Sequence, residues 1–146
     1  MFGFNWRPFN QAEEQTIVEA ITQAEKQTSG EIRVHIDKYC KTDPLVKGRN
    51  QFIHLGMGNT ALKNGVLIYV SMEDHQFSIV GDEGIDQVVE DDFWDSTRDK
   101  MRSEFVKGDI VGGICAGIKE AGEQLQRHFP YQSDDTDELP NNISYG

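Results

Sequence analysis

Cysteine is scarce in this chain: Cys40 and Cys115 are the only two, far apart and in no C-x-x-C spacing. That excludes a disulfide scaffold, and a domain of this size reads more simply with two reduced thiols. Positive charge is scarce too. Fourteen Lys and Arg face twenty-five Asp and Glu, for a net charge of -11. Such a surface repels the phosphates of a duplex, and no basic stripe compensates, so nucleic acid is not an expected partner. Anionic membranes are disfavoured for the same reason, whereas cations and basic partners suit this field. Long apolar runs are missing. No stretch approaches the ~20 residues of a spanning helix, and Met1 to Phe9 has neither an early Lys/Arg cluster nor an apolar run of signal-peptide type. The expectation is a cytoplasmic chain with no membrane partner. Catalytic signatures are also missing. There is no P-loop, no G-x-S-x-G elbow and no D-x-D-x-D-G calcium loop. Cys40 and Cys115 lack an Arg at phosphatase spacing, and Asp37 is followed by Tyr39 rather than by a second acid.

What is present is one domain's worth of alternating helix and strand patterns in 146 residues, enough for a sizeable core. Asn10 caps a first helix running to about Thr28, with Glu13 completing a capping box and Ile17, Val18, Ile21 and Ala24 forming its stripe. Ser29-Gly30 stops it. Glu31 to Asp37 alternates Ile32, Val34 and Ile36 against Arg33, His35 and Asp37, the pattern of a half-buried strand. Asp43-Pro44 starts a second helix with Leu45, Phe52, Ile53 and Gly56 along one side. Val66 to Val70 is apolar on both faces and reads as the central strand. A short polar turn joins it to an antiparallel partner, Phe77 to Val80. Gly81-Asp82-Glu83-Gly84 breaks that strand. Two more helices follow, one holding Phe93, Trp94, Thr97, Met101 and Phe105, the other capped by Asp109 with Ile110, Ile114, Ile118, Ala121, Leu125 and Phe129. The helical crossover makes the first strand and the central strand parallel and right-handed. The polar, acidic residues 131–146 read as a disordered tail, and residues 1–9 as an N-terminal extension.

Four segments stand together in order: Thr28-Ser-Gly-Glu-Ile-Arg-Val34, Asn64-Gly-Val-Leu-Ile-Tyr-Val70, Ile79-Val-Gly-Asp-Glu-Gly-Ile85 followed by Trp94, and Gly113-Ile114 through His128-Phe-Pro130. As a set they resemble the TPM-domain family, in its stand-alone bacterial form, over roughly residues 10–130. The resemblance implies an α/β fold: a three-layer α/β/α sandwich, with a small mixed central sheet of three to four strands and helices on both faces. It also implies divalent-metal binding and, in some members, acid phosphatase activity. Many relatives carry a signal sequence and a C-terminal membrane or low-complexity segment, neither of which is read here.

Residues 73 to 99 hold ten acids and a single base, Arg98. The hairpin returns Asp82 to the sheet edge where the first strand begins, so Glu31, Asp82 and the loop from Glu83 to Asp92 are expected to converge. Clustered carboxylates repel unless protonated or cation-bound, and flexible oxygen donors suit Ca²⁺. The expected ligands are Glu31, Asp82, Asp86, Asp91 and Asp92, holding one or two Ca²⁺ ions, with Mg²⁺ or another divalent ion as the alternative. The bland alternative is a solvated acidic helix face. A second edge competes, where Asp37, Glu73, Asp74 and His75 lie at the carboxyl ends of the parallel strands. With no nucleophile and no convergent Lys or Arg beside Asp82, a metal-responsive, partner-modulating module ranks above a metal-assisted acid phosphatase, and a metal-independent protein-interaction domain stands third. Beyond divalent cations, the expected partner is an unidentified protein.

Overall fold

The computed structural model describes residues 6–132 and 138–146. Helix α1 spans Gln11–Glu25, and its capping box forms as the residues dictate: Glu13 N–H donates to the Asn10 side chain and Asn10 N–H to the Glu13 carboxylate. Strand β1 is Glu31–Asp37 and helix α2 is Pro44–His54, whose first turn is capped by the Asp43 carboxylate, which accepts from the Leu45 and Val46 amides. Strands β2, Gly65–Ser71, and β3, Gln76–Gly81, form the expected antiparallel hairpin. A single turn, α3, covers Glu83–Asp86. Then come α4, Asp95–Val106, and α5, Ile110–Gln126, the latter capped by Asp109. A two-residue strand β4, Ser144–Tyr145, closes the chain.

The sheet order is β3-β2-β1-β4. Strand β1 runs parallel to β2 in the register Glu31↔Gly65 to Asp37↔Ser71. The seven residues of β2 are all buried and flanked on both sides, which is what a continuous Val/Leu/Ile/Tyr run requires. Helices on both faces make this an α/β sandwich. On one face Ile32, Val34 and Ile36 of β1, with Val66, Ile68 and Val70 of β2, meet the stripes of α1, α4 and α5. On the other face Leu67 and Val80 pack with Phe52 of α2, Met57 and Leu139.

Three expectations are corrected. Strand β1 is buried along its whole length, with Glu31, Arg33, His35 and Asp37 covered as thoroughly as the apolar residues between them. The cover explains this: residues 138–146 lie against its second edge and over its polar face. The disordered tail expected from Tyr131 onward is therefore wrong for 138–146. Leu139 and Ile143 are buried, β4 pairs parallel with His35 and Ile36, and Gly146 N–H donates to the Ile36 carbonyl at 3.0 Å. Two apolar side chains plus a short ladder suffice to dock a segment whose average composition is polar. Residues 133–137 of that tail, and 1–5 of the N-terminal extension, lie outside the described residues. Ile53, counted in the α2 stripe, is 76% exposed and faces a cleft instead.

Candidate functional site

Asp82 ends β3 by hydrogen-bonding back to β2: its N–H donates to the Gly65 carbonyl at 2.9 Å. Its Oδ1 then caps α3 by accepting from Glu83 N–H at 2.7 Å. Its Oδ2 is buried and has no hydrogen-bond partner among the described residues. An unsatisfied buried carboxylate oxygen costs on the order of 1–3 kcal/mol or more, so this atom is the one unexplained polar group of the Gly81-Asp82-Glu83-Gly84 turn. The turn is held tightly. Gly84 N–H donates to the Lys63 carbonyl at 2.9 Å, and a Cβ at Gly84 would fall 2.3 Å from the Leu62 carbonyl oxygen and 2.4 Å from that of Lys63. Only glycine allows the 62–63 loop to lie this close.

The turn borders an open cleft of about 590 Å³ lined by Arg49, Ile53, Asn59, Lys63, Asp82 and Glu83 among others. Arg49 projects from α2 and Lys63 from the loop before β2, so two bases share the cleft with two acids. That corrects the reading that no base lies near Asp82. The spacing in sequence hid it, because the bases come from elements 19 to 33 residues upstream. Lys63 Nζ donates to the Gly58 carbonyl at 2.6 Å. Asp86 sits one turn on. Partial burial of its carboxyl raises its pKa although the residue as a whole is exposed; Arg49 opposes the rise and Asp82 adds to it.

The other expected ligands separate from Asp82. The Glu31 carboxylate accepts from the amides of Glu138 at 2.9 and 3.0 Å and Leu139 at 2.7 Å. Its oxygens hold the returning C-terminal segment, a role no pattern in the sequence announces. Asp91 and Asp92 are exposed, in the turns before α4. Among the described residues, no three His, Cys, Asp or Glu side chains come together as a group able to hold a metal ion. For a divalent cation the fit is partial: Asp82 Oδ2 is a vacant anionic oxygen beside Glu83 and near Asp86, enough for a few of the 6–8 oxygens Ca²⁺ takes, the rest falling to water and main-chain carbonyls.

The competing edge holds a different network. Asp37 Oδ1 lies 2.7 Å from His35 Nε2, and its Oδ2 accepts from the Tyr69 hydroxyl at 2.7 Å. Lys47 Nζ approaches to 4.0 Å. His35 Nδ1 lies 2.9 Å from the Ser144 hydroxyl, and its ring stacks on Tyr69. Burial lowers the His35 pKa, with Asp37 pulling the other way. Burial and the Asp37 bond push the Tyr69 hydroxyl far up. Asp37 is thus fully engaged, and Asp74 is occupied by the Cys40 amide at 2.7 Å and the Ser71 hydroxyl. His35, Asp37 and Tyr69 thus form an internal polar network rather than an open ligand site.

Compared with known proteins, residues 8–124 match the family model described as TPM domain. The chain belongs to the TPM-domain family. Among solved structures, this TPM domain is similar to the BA42 protein of the psychrophilic bacterium Bizionia argentinensis, determined by NMR, at 49% identity and a TM-score of 0.91, over 96% of this chain and 97% of that one. The N-terminal domain of cg2496 from Corynebacterium glutamicum shares the fold at 14% identity and a TM-score of 0.64, over 93% of this chain and 80% of that one. No curated protein matches the chain significantly. No helix among the described residues is long and apolar enough to cross a membrane.

Proposed function

We propose that this TPM domain is a non-enzymatic, metal-responsive binding module that takes a divalent cation, Ca²⁺ first, at the Asp82 end of the cleft. The observation that carries the reading is the buried Asp82 Oδ2 without a partner. A carboxylate oxygen held off water and off every donor is stabilised most by a hard cation. Glu83 and Asp86 supply further carboxylates on the same turn. Asp91 and Asp92 join only if the exposed loop before α4 folds inward on binding. Glu31 is a support for the C-terminal segment rather than a ligand. With so few preplaced oxygens, affinity belongs to the weak end of calcium sites, roughly 10⁻⁴–10⁻³ M. Titration of the ¹⁵N-labelled protein with CaCl₂ tests it. Saturable shifts at residues 82–86, lost in Asp82→Asn, are expected. Shifts at Asp37, Glu73 and Asp74 instead would move the site to the other edge.

A metal-assisted acid phosphatase is the second reading, and Arg49 and Lys63 favour it. Two bases in the cleft with Asp82 are what a phosphomonoester's oxygens would need. A bound divalent ion would supply Lewis-acid polarisation of the phosphoryl group. Arg49 would orient the ester, and Asp86, with its raised pKa, would carry a proton at acidic pH. Turnover of para-nitrophenyl phosphate with added metal, abolished by Arg49→Gln in a folded protein, would establish this reading over the first.

A further inference from the structure

A second cleft, of about 430 Å³, opens at the carboxyl end of β2, away from Asp82. Its floor is the edge-to-face pair Phe77 and Phe105, centroids 5.1 Å apart. Val106, 80% exposed, forms an apolar rim. Arg102 and His75 complete the wall. Arg102 lies over the Phe77 ring at 5.5 Å, and His75 stands in the turn before β3. Among the described residues no Asp or Glu lines this cleft, although the chain has twenty-five of them.

We propose that this cleft binds a small amphipathic anion: an apolar chain or ring ending in a carboxylate. An apolar floor with a few convergent polar groups is the usual make-up of a small-molecule site, and the carboxyl edge of a parallel pair is where open α/β sheets take ligands. The phenyl rings and Val106 would bury the apolar body, and the carboxylate would meet Arg102 with His75 beside it. Arg102 is available for this. Its ion pair to Asp99 is 3.4 Å long and exposed, and its ring contact leaves the guanidinium edge free for a carboxylate. Asp74 and Glu104 are the nearest acids in sequence to His75 and Arg102; Asp74 is occupied by Ser71 and the Cys40 amide, and Glu104 by Lys107 at 3.2 Å. His75 adopts φ 55, a left-handed position that glycine or asparagine fills more readily, so this turn carries its imidazole at some conformational cost. The site shares no residue with the Asp82 cleft and does not depend on cation binding there.

The probes are octanoate, 1-octanol and octylammonium, equal in chain length and different in charge, titrated into the ¹⁵N-labelled full chain. Octanoate is expected to saturate below about 10 mM, with shifts at Phe77, Arg102, Phe105 and Gly108, and Arg102→Gln is expected to weaken it by roughly threefold or more, the range of a partly exposed charge pair. Val106→Asp, at an exposed position that does not threaten folding, is expected to weaken it as well. The net charge of -11 attracts octylammonium everywhere, so preference for the anion has to come from the cleft itself. Equal or tighter binding of octanol or octylammonium at these residues would overturn the proposal, as would octanoate shifts that stay linear to the end of the titration.

Discussion

Single residues carry three jobs here that their types alone do not announce. Gly84 is fixed by two carbonyl oxygens within 2.4 Å of where a Cβ would sit, and backbone atoms yield less easily than a flexible side chain. Gly84→Ala is therefore expected to destabilise the fold by about 1–3 kcal/mol, read as a lower urea midpoint with an unchanged m-value; a wild-type midpoint would show that the 62–63 loop gives way freely. Glu31 holds the amides of residues 138 and 139. Glu31→Gln should loosen 138–146, seen as faster amide exchange at Leu139 and Gly146, while leaving Ca²⁺ affinity as it was. Were Ca²⁺ binding lost instead with the segment still protected, Glu31 would be a ligand after all. His35 is buried with its pKa lowered from 6.5. The unfolded chain then binds more protons than the native one between that depressed pKa and 6.5, so stability falls as pH drops through this window and is fully recovered above it. Thermal melts of wild type and His35→Gln should converge in slope between pH 7 and 8 and diverge below about 6, the variant losing less on acidification.

At the level of elements, the C-terminal segment is the piece the sequence concealed. The helices and the hairpin were legible because each has a period, and α1, α2 and α5 a cap as well: Asn10 with Glu13, Asp43 before Pro44, Asp109 before the α5 stripe. Strand β4 has neither. Two residues of ladder leave no periodicity, and the acids at 134–138 outweigh Leu139 and Ile143 in any windowed average. The burial of Arg33, His35 and Asp37 was hidden with it, since alternation marks one face as polar without saying whether a later segment covers it. Burying Leu139 and Ile143 contributes roughly 1.5–3 kcal/mol each, so a chain ending at Tyr131 is expected to unfold at a distinctly lower denaturant concentration. Leu139→Ala alone should lose about 2–4 kcal/mol, because Phe52, Met57, Leu67 and Val80 close around that side chain. A truncated chain as stable as the full one would mean that the docking of 138–146 adds nothing.

For the whole molecule, charge is the term that any cation experiment has to be separated from. The acids around the Gly-Asp-Glu-Gly motif were plain in the sequence, yet their convergence was not, since it depends on where the Glu31 carboxylate and the loop before α4 point. The structure sends the first to the C-terminal segment and leaves the second in solvent. At -11 and pI 4.7 the folded chain repels itself, and compaction under net charge is relieved by any counter-ion. Added NaCl is therefore expected to raise the melting temperature by general screening, most steeply below ~0.1 M, where the Debye length still exceeds about 10 Å. A divalent ion held at Asp82 acts otherwise, by mass action on the native state alone, about 2.7 kcal/mol at one hundred times its dissociation constant. In 0.3 M NaCl the screening contribution is spent, so a further rise with millimolar CaCl₂ measures specific binding. Asp82→Asn should remove that rise. The same substitution should leave the NaCl response of the wild type nearly intact, because one charge in twenty-five changes little of the field. If Ca²⁺ and ionic-strength-matched NaCl give the same melting temperature in both proteins, the acidic surface is a solvated one and the cation reading of Asp82 fails.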